Sequence, residues 1–150
     1  MNNNIIYLCA APEDRSHLNR LRAGLHPVTA QYGFSLWHES DTGPGSKWKE
    51  VMKYRLASSA FFVPLVSMDL LASDICNIEI QAAVYLATHG NMQILPILLS
   101  PCLLEYSDLA GYPCLPKNGK PIISQRTSQA WASTLRDLIE TITSTQRRLR

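Results

Sequence analysis

Residues 61–87 read FFVPLVSMDLLASDICNIEIQAAVYLA, and the order of patterns within them decides the fold. Phe61 to Val66 is a short continuous apolar run that stops at Ser67, as a strand buried on both faces would be. Ser73 or Asp74 then supplies an N-cap, and a long apolar helix follows. In that helix Ile78, Ala82 and Leu86 recur four apart and are expected to face the core. Glu79 lies about 100° round from Ile78, so it is expected to stand off that face. A strand, a short loop and a lone carboxylate in the first helical turns put one acid at the carboxyl edge of a sheet, where α/β ligand sites form. The helix dipole alone also favours an acid there.

The same alternation extends in both directions. Ile5 to Cys9 is a second buried strand, followed by Pro12, Glu13 and Asp14 as a helix start. The helix carries Leu18, Leu21 and Leu25 on one stripe and is expected to end before Pro27. Gly33 turns the chain into a strand over Phe34 to Trp37. Gly43, Pro44 and Gly45 then break regular structure. Ser46 is expected to cap a helix with Trp48, Val51, Met52 and Leu56 as its apolar stripe. Ala60 to Val66 is the third strand, with Pro64 marking a bulge or a local loss of pairing. Ile94 to Leu99 is the fourth, with Pro96 inside it. A loop-rich stretch from Ser100 to Lys120 has room for one short helix near Leu103 to Asp108. Ile122 and Ile123 fit a short edge strand. A last helix, opened by Thr127 or Ser128, carries Trp131, Leu135, Leu138, Ile139 and Ile142. Strands alternating with helices predict a doubly wound, flavodoxin-like α/β fold, a five-stranded parallel sheet with helices on both faces.

Composition narrows the function classes. The chain has 150 residues, 46% hydrophobic and 17% charged, which fits one globular domain with a real core. A net charge of +2 gives no electrostatic case for nucleic acid, and Arg147, Arg148 and Arg150 read as a solvated tail. Cys9, Cys76, Cys102 and Cys114 form no CxxC pair and no metal-ligand spacing with the histidines, so no metal is expected. They read as reduced residues of a cytoplasmic protein. No run approaches the ~20 apolar residues of a membrane span, and MNNN does not open a signal peptide. The chain reads as a single domain, standing alone or as the N-terminal part of a longer protein.

At four places in order the sequence resembles a TIR (Toll/interleukin-1 receptor homology) domain of the bacterial kind. Tyr7-Leu8-Cys9-Ala10 with Pro12-Glu13-Asp14 resembles the family's first box. Trp37 through Trp48, with Asp41-Thr42-Gly43-Pro44-Gly45, resembles its mobile loop. Leu65-Val66-Ser67 leading to Ser73-Asp74-Ile75-Cys76-Asn77-Ile78-Glu79 resembles its "LVS … S-x-W-C-x-x-E" block. Ile94-Leu95-Pro96-Ile97 resembles its fourth strand. The chain departs from the pattern at Cys9, Ala10 and Ile75, where Ser, Tyr and an aromatic residue are common.

The resemblance implies that Glu79 is the catalytic residue of an NAD+ glycohydrolase, cleaving the nicotinamide–ribose bond to give nicotinamide and ADP-ribose or a cyclic form. NAD+ is then a substrate, and no cofactor is implied. Cys9, Ala10, Ala11, Asp41, Trp48 and Ile75 are the implied nucleotide-site positions. The resemblance also implies activation by homotypic TIR–TIR assembly through the loop at Asp41 to Ser46, a sensor domain fused or separate, and a role in bacterial anti-phage immunity. Each residue has a plainer reading. Trp48 anchors its helix, Asp41 is a turn acid, Cys9 and Ala10 pack a strand end, Arg15 lies on a solvated face, and Cys76 fills core space. Trp37 reads as packing, and His38 receives no acid–base role. The non-catalytic alternative is an interaction module, motivated by the departures at Cys9, Ala10 and Ile75. Among other flavodoxin-like domains, a phosphorylated receiver is disfavoured because no paired acids end the first strand of this chain, where Leu8 and Cys9 stand. An FMN carrier is disfavoured because the first loop of this chain, Ala10 to Asp14, lacks a Ser/Thr/Gly-rich phosphate cradle. A nucleoside deoxyribosyltransferase is the nearest rival in chemistry.

Overall fold

The computed structural model describes residues 3–148, with side chains to residue 145. Met1, Asn2 and the side chains of the basic tail at Arg147, Arg148 and Arg150 lie outside the described residues. Strand β1 (Ile5–Cys9) is buried along its whole length. It pairs in parallel with β2 (Ser35–Trp37) on one side and β3 (Ser59–Val66) on the other. Beyond β3 come β4 (Gln93–Ile94) and β5 (Ile97–Leu98), both parallel to it. The five-stranded sheet runs β2-β1-β3-β4, with β5 continuing beside β3.

Helices cover both faces. On one, α1 (Arg15–Gly24), α2 (His26–Tyr32) and α6 (Thr127–Arg148) bury Leu21, Val28, Trp131 and Leu138 against Ile6 and Leu8. On the other, α3 (Trp48–Ala57), α4 (Met68–Ala72) and α5 (Asp74–His89) bury Met52, Leu56, Leu70 and Ile80 against Tyr7 and Phe62. The split follows from strand geometry, because successive side chains of β1 point to opposite faces. Gly24 permits the close approach of α1 to α6: a Cβ there would stand 2.3 Å from Leu135 Cδ1.

Several local expectations are corrected. The first helix ends at Gly24, before Pro27 as expected, and Pro27 sits in the first turn of an additional helix, α2, where a missing N–H costs nothing. Helix α3 has Lys47, not Ser46, at its N-cap and no side-chain cap. Ser67 caps the additional helix α4, accepting from Leu70 N at 3.0 Å. The fourth strand is interrupted. β3 pairs with β4 at Phe61 and Phe62 and with β5 at Leu65 and Val66. The gap lies at Pro64 and Pro96, neither of which has an N–H to donate. Pro64 therefore marks a loss of pairing on that side, while it stays in register with Cys9 on the other. Ile122 and Ile123 belong to a 3-10 turn, not a strand, with Ile122 driven into the α6-side core.

The most consequential correction concerns α5. Its buried residues are Cys76, Glu79, Ile80 and Ala83, whereas Ile78 is 36% exposed and Ala82 and Leu86 are only partly buried. Both rows repeat at helical spacing. The row with small Cys76 and Ala83 allows closer approach to the sheet, and it carries Glu79 inward with it.

Candidate active site

Ser73 sets the start of α5 by accepting from Cys76 N at 3.2 Å. One turn later Glu79 points at the last residues of β1 and is 1% exposed. The Tyr7 hydroxyl donates to its Oε2, and the Cys9 thiol lies 3.6 Å from its Oε1. Among the described residues no cation pairs with it. Burial pushes the Glu79 carboxyl up to about 7, against the opposing pull of the Tyr7 and Cys9 donors, and the charge of Glu39 adds to the rise. Burial, with the Glu79 charge beside it, raises Tyr7 as well. A buried acid without a donor would be costly. Here two neutral donors make it tolerable while leaving its charge uncompensated.

Cys9 and Cys76 complete the group. Cys9 Sγ, Cys76 Sγ and a Glu79 carboxylate oxygen all lie within 4.8 Å of one another, and all three residues are buried. Burial holds the Cys9 thiol well above its usual range. The neighbouring Cys9 thiol holds Cys76 below its usual range, against the raising effect of burial.

Polar contacts tie the strand ends together around this point. Ser67, just after β3, donates to Asp14 Oδ2 at 2.6 Å. His38, just after β2, places Nε2 3.2 Å from the Ala10 carbonyl oxygen and Nδ1 2.8 Å from Ser40 Oγ. Burial lowers its pKa, against the raising effect of the Ala10 carbonyl.

The structure gathers some of the sequence-predicted residues and separates others. Cys9 joins Glu79. Trp48 is partly buried on the same face, and its Nε1 is buried with no hydrogen-bond partner among the described residues. Ala10 belongs to the core of the opposite face, and only its carbonyl reaches His38. Ala11 is buried at the start of the following turn. Asp41 is exposed, ion-paired with Arg22, and accepts from His38 N at 3.0 Å; these contacts match its reading as a turn acid. Ile75 is 43% exposed, and Arg15 lies on the solvated face of α1 beside Arg22 and Asp41. Tyr7 was missed as a site residue. The period of two along β1 puts Tyr7 on the face of Cys9, and a buried tyrosine hydroxyl needs a partner. Together these signals point to it.

Comparison with known proteins places this chain in a family. A curated protein of Sinorhizobium fredii, the uncharacterized protein y4lF, is 25% identical over 118 residues, covering 78% of this chain. The chain spans 36% of the length of that relative. The TIR domain of the Toll-related receptor TRR-2 from Hydra magnipapillata superposes with a TM-score of 0.70 at 22% identity, covering 94% of this chain and 98% of that one; at that identity the likeness is one of fold. The sequence profile of the TIR domain matches residues 6–139, from the start of β1 through most of α6, and so the chain belongs to the TIR domain family.

Proposed function

We propose that this TIR domain is an NAD+ glycohydrolase in which Glu79 acts on the ribose next to nicotinamide. The observation that supports the reading is the uncompensated carboxylate at the carboxyl end of β1, held by Tyr7 and Cys9 and paired with no cation among the described residues. Glycoside cleavage through an oxocarbenium-like transition state commonly takes two carboxylates, one of them to protonate the leaving group. Nicotinamide in NAD+ is already a pyridinium and departs neutral, so one ionised carboxylate facing the developing cation is sufficient. Attack by water on that cation gives ADP-ribose; attack by an adenine nitrogen gives a cyclic product.

Glu79 is closed off in this conformation, so turnover requires an opening. The loop after β2 is the moving part in this reading. Its Glu39 lies within electrostatic reach of Glu79, and Gly43, Pro44 and Gly45 are exposed. Homotypic assembly through the loop at Asp41 to Ser46 would draw it aside and admit substrate. The biological role proposed is that of a cytoplasmic effector in bacterial anti-phage immunity, driven by a fused or separate sensor.

One observation favours a second reading. A carboxylate 1% exposed and capped by Tyr7 is also what a non-catalytic interaction module would carry as a satisfied core acid. The test is nicotinamide release from NAD+ by protein clustered on a surface, with Glu79→Ala beside it. Release that depends on Glu79 supports the enzyme; no release at any density supports the module.

A further inference from the structure

Two thiols and a carboxylate converge where α5 meets the end of β1. Cys9 is 0% exposed and Cys76 2%, and their Sγ atoms lie with a Glu79 oxygen inside one 4.8 Å cluster. Tetrahedral zinc with bonds of about 2.3 Å to sulfur and about 2.0 Å to oxygen sets an S···O edge of about 3.5 Å. The Cys9 Sγ to Glu79 Oε1 separation is 3.6 Å. The ligands sit on regular secondary structure. Cys9 ends a central strand, and Cys76 and Glu79 lie one helical turn apart on α5. Tyr7 donates to the other carboxylate oxygen, the outer hydrogen bond that orients ligating groups in protein metal sites.

The geometry points to a binding site for a zinc-class divalent cation formed by Cys9 Sγ, Cys76 Sγ and the Glu79 carboxylate. Two sulfur ligands select a borderline-soft ion over magnesium or calcium, which take oxygen. The fourth position is left for water. Binding displaces the thiol protons to solvent, so affinity falls as pH is lowered. Because the ligands are buried, binding is slow and follows a local opening of α5 against β1. A bound ion would tether that helix to the strand and occupy the Glu79 carboxylate. Metal binding stands on geometry alone; the consequence that the ion suppresses NAD+ cleavage rests on the function proposed above.

The test uses the whole chain, reduced and stripped with a chelator, titrated with Co2+ as the spectroscopic stand-in for Zn2+. One equivalent of Co2+ is expected to give thiolate-to-cobalt charge-transfer absorption and the intense visible bands of a tetrahedral site. Zn2+ should abolish both and raise Tm. Cys9→Ser, Cys76→Ser and Glu79→Gln should each weaken binding by more than about 100-fold, beyond the 10–100-fold expected of the outer-shell change Tyr7→Phe. Replacing Cys102 and Cys114 together should leave binding unchanged. If a serine variant fails to fold, Glu79→Gln with an intact far-ultraviolet spectrum carries the test. Absence of the charge-transfer band, its survival at one equivalent of Co2+ in Cys9→Ser, Cys76→Ser or Glu79→Gln, or its loss on replacing Cys102 and Cys114 would overturn the site. These readouts need no NAD+, so failure of the metal site and failure of the enzymatic reading are separately visible.

Discussion

The Tyr7 hydroxyl donates to Oε2 of Glu79 across 72 positions of sequence. This contact joins the central strand to the helix that carries the acid, and it does so in the interior. Tyr7 is 0% exposed and stacks on Phe62 at a centroid distance of 5.7 Å, so the phenol cannot swing away without repacking the α5-side core.

Tyr7→Phe should therefore destabilise the fold by about 1–3 kcal/mol, the cost of leaving a buried acceptor without its donor. The same change should raise the Glu79 pKa above its present value of about 7, because the Tyr7 donor favours the ionised form. Urea unfolding measures the first effect, and carboxyl titration by infrared or carbon NMR measures the second. A Tyr7→Phe protein of undiminished stability, with Glu79 titrating as before, would show that the contact is energetically idle.

Stability should also fall as pH rises, through Glu79. The ordinary value for the group is 4.5, and burial raises it to about 7 in the fold. Below 4.5 both the folded and the unfolded chain hold the proton, and the contribution is fully present. Between the two values the unfolded chain releases the proton and the folded one keeps it, so stability declines as pH rises through about 7 and levels off above. The total is on the order of 3 kcal/mol. With metal chelated throughout, Glu79→Gln should be more stable than the parent at pH 8 and lose that advantage near pH 4.5. A stability difference that does not change with pH contradicts the burial account.

Arg22 and Asp41 provide a contrast at the surface. Their side chains are 30% and 34% exposed, so the ion pair should contribute less than about 1 kcal/mol and weaken with salt. Asp41 also accepts from His38 N at the start of the 3-10 turn Glu39–Asp41. Asp41→Ala should thus cost about 1 kcal/mol more than Arg22→Ala. A double-mutant cycle measured by thermal unfolding separates the pair from the cap. Equal losses would mean that the turn does not depend on the Asp41 cap.

Legibility differed along the chain for physical reasons. β1 and β3 announce themselves as apolar runs, because a strand covered on both faces has no polar residues to alternate with. α6 shows a single clear stripe from Trp131 to Ile142. The sequence predicts α5 but not its rotation. Ile78, Ala82 and Leu86 form one apolar row, Cys76, Ile80 and Ala83 another, and periodicity cannot choose between rows on a helix that is apolar on several sides. The choice was made by the sheet, which accepts the row with the smaller residues and supplies Tyr7 and Cys9 to the Glu79 that comes with it. The split of β4 from β5 was half legible, since Pro64 and Pro96 signal missing donors without saying which neighbour loses its pairing. The convergence of Cys9, Cys76 and Glu79 had no local signal, because thiols 67 positions apart come together only through the fold.

In the proposed reading the Glu79 carboxylate supports NAD+ cleavage once assembly opens the site. Nicotinamide release by the clustered chain, compared between parent and Glu79→Ala at matched surface density, tests it most directly. The expected result is release by the parent and a loss of about 100-fold or more in the variant. Release that is the same with and without the Glu79 carboxylate would contradict it.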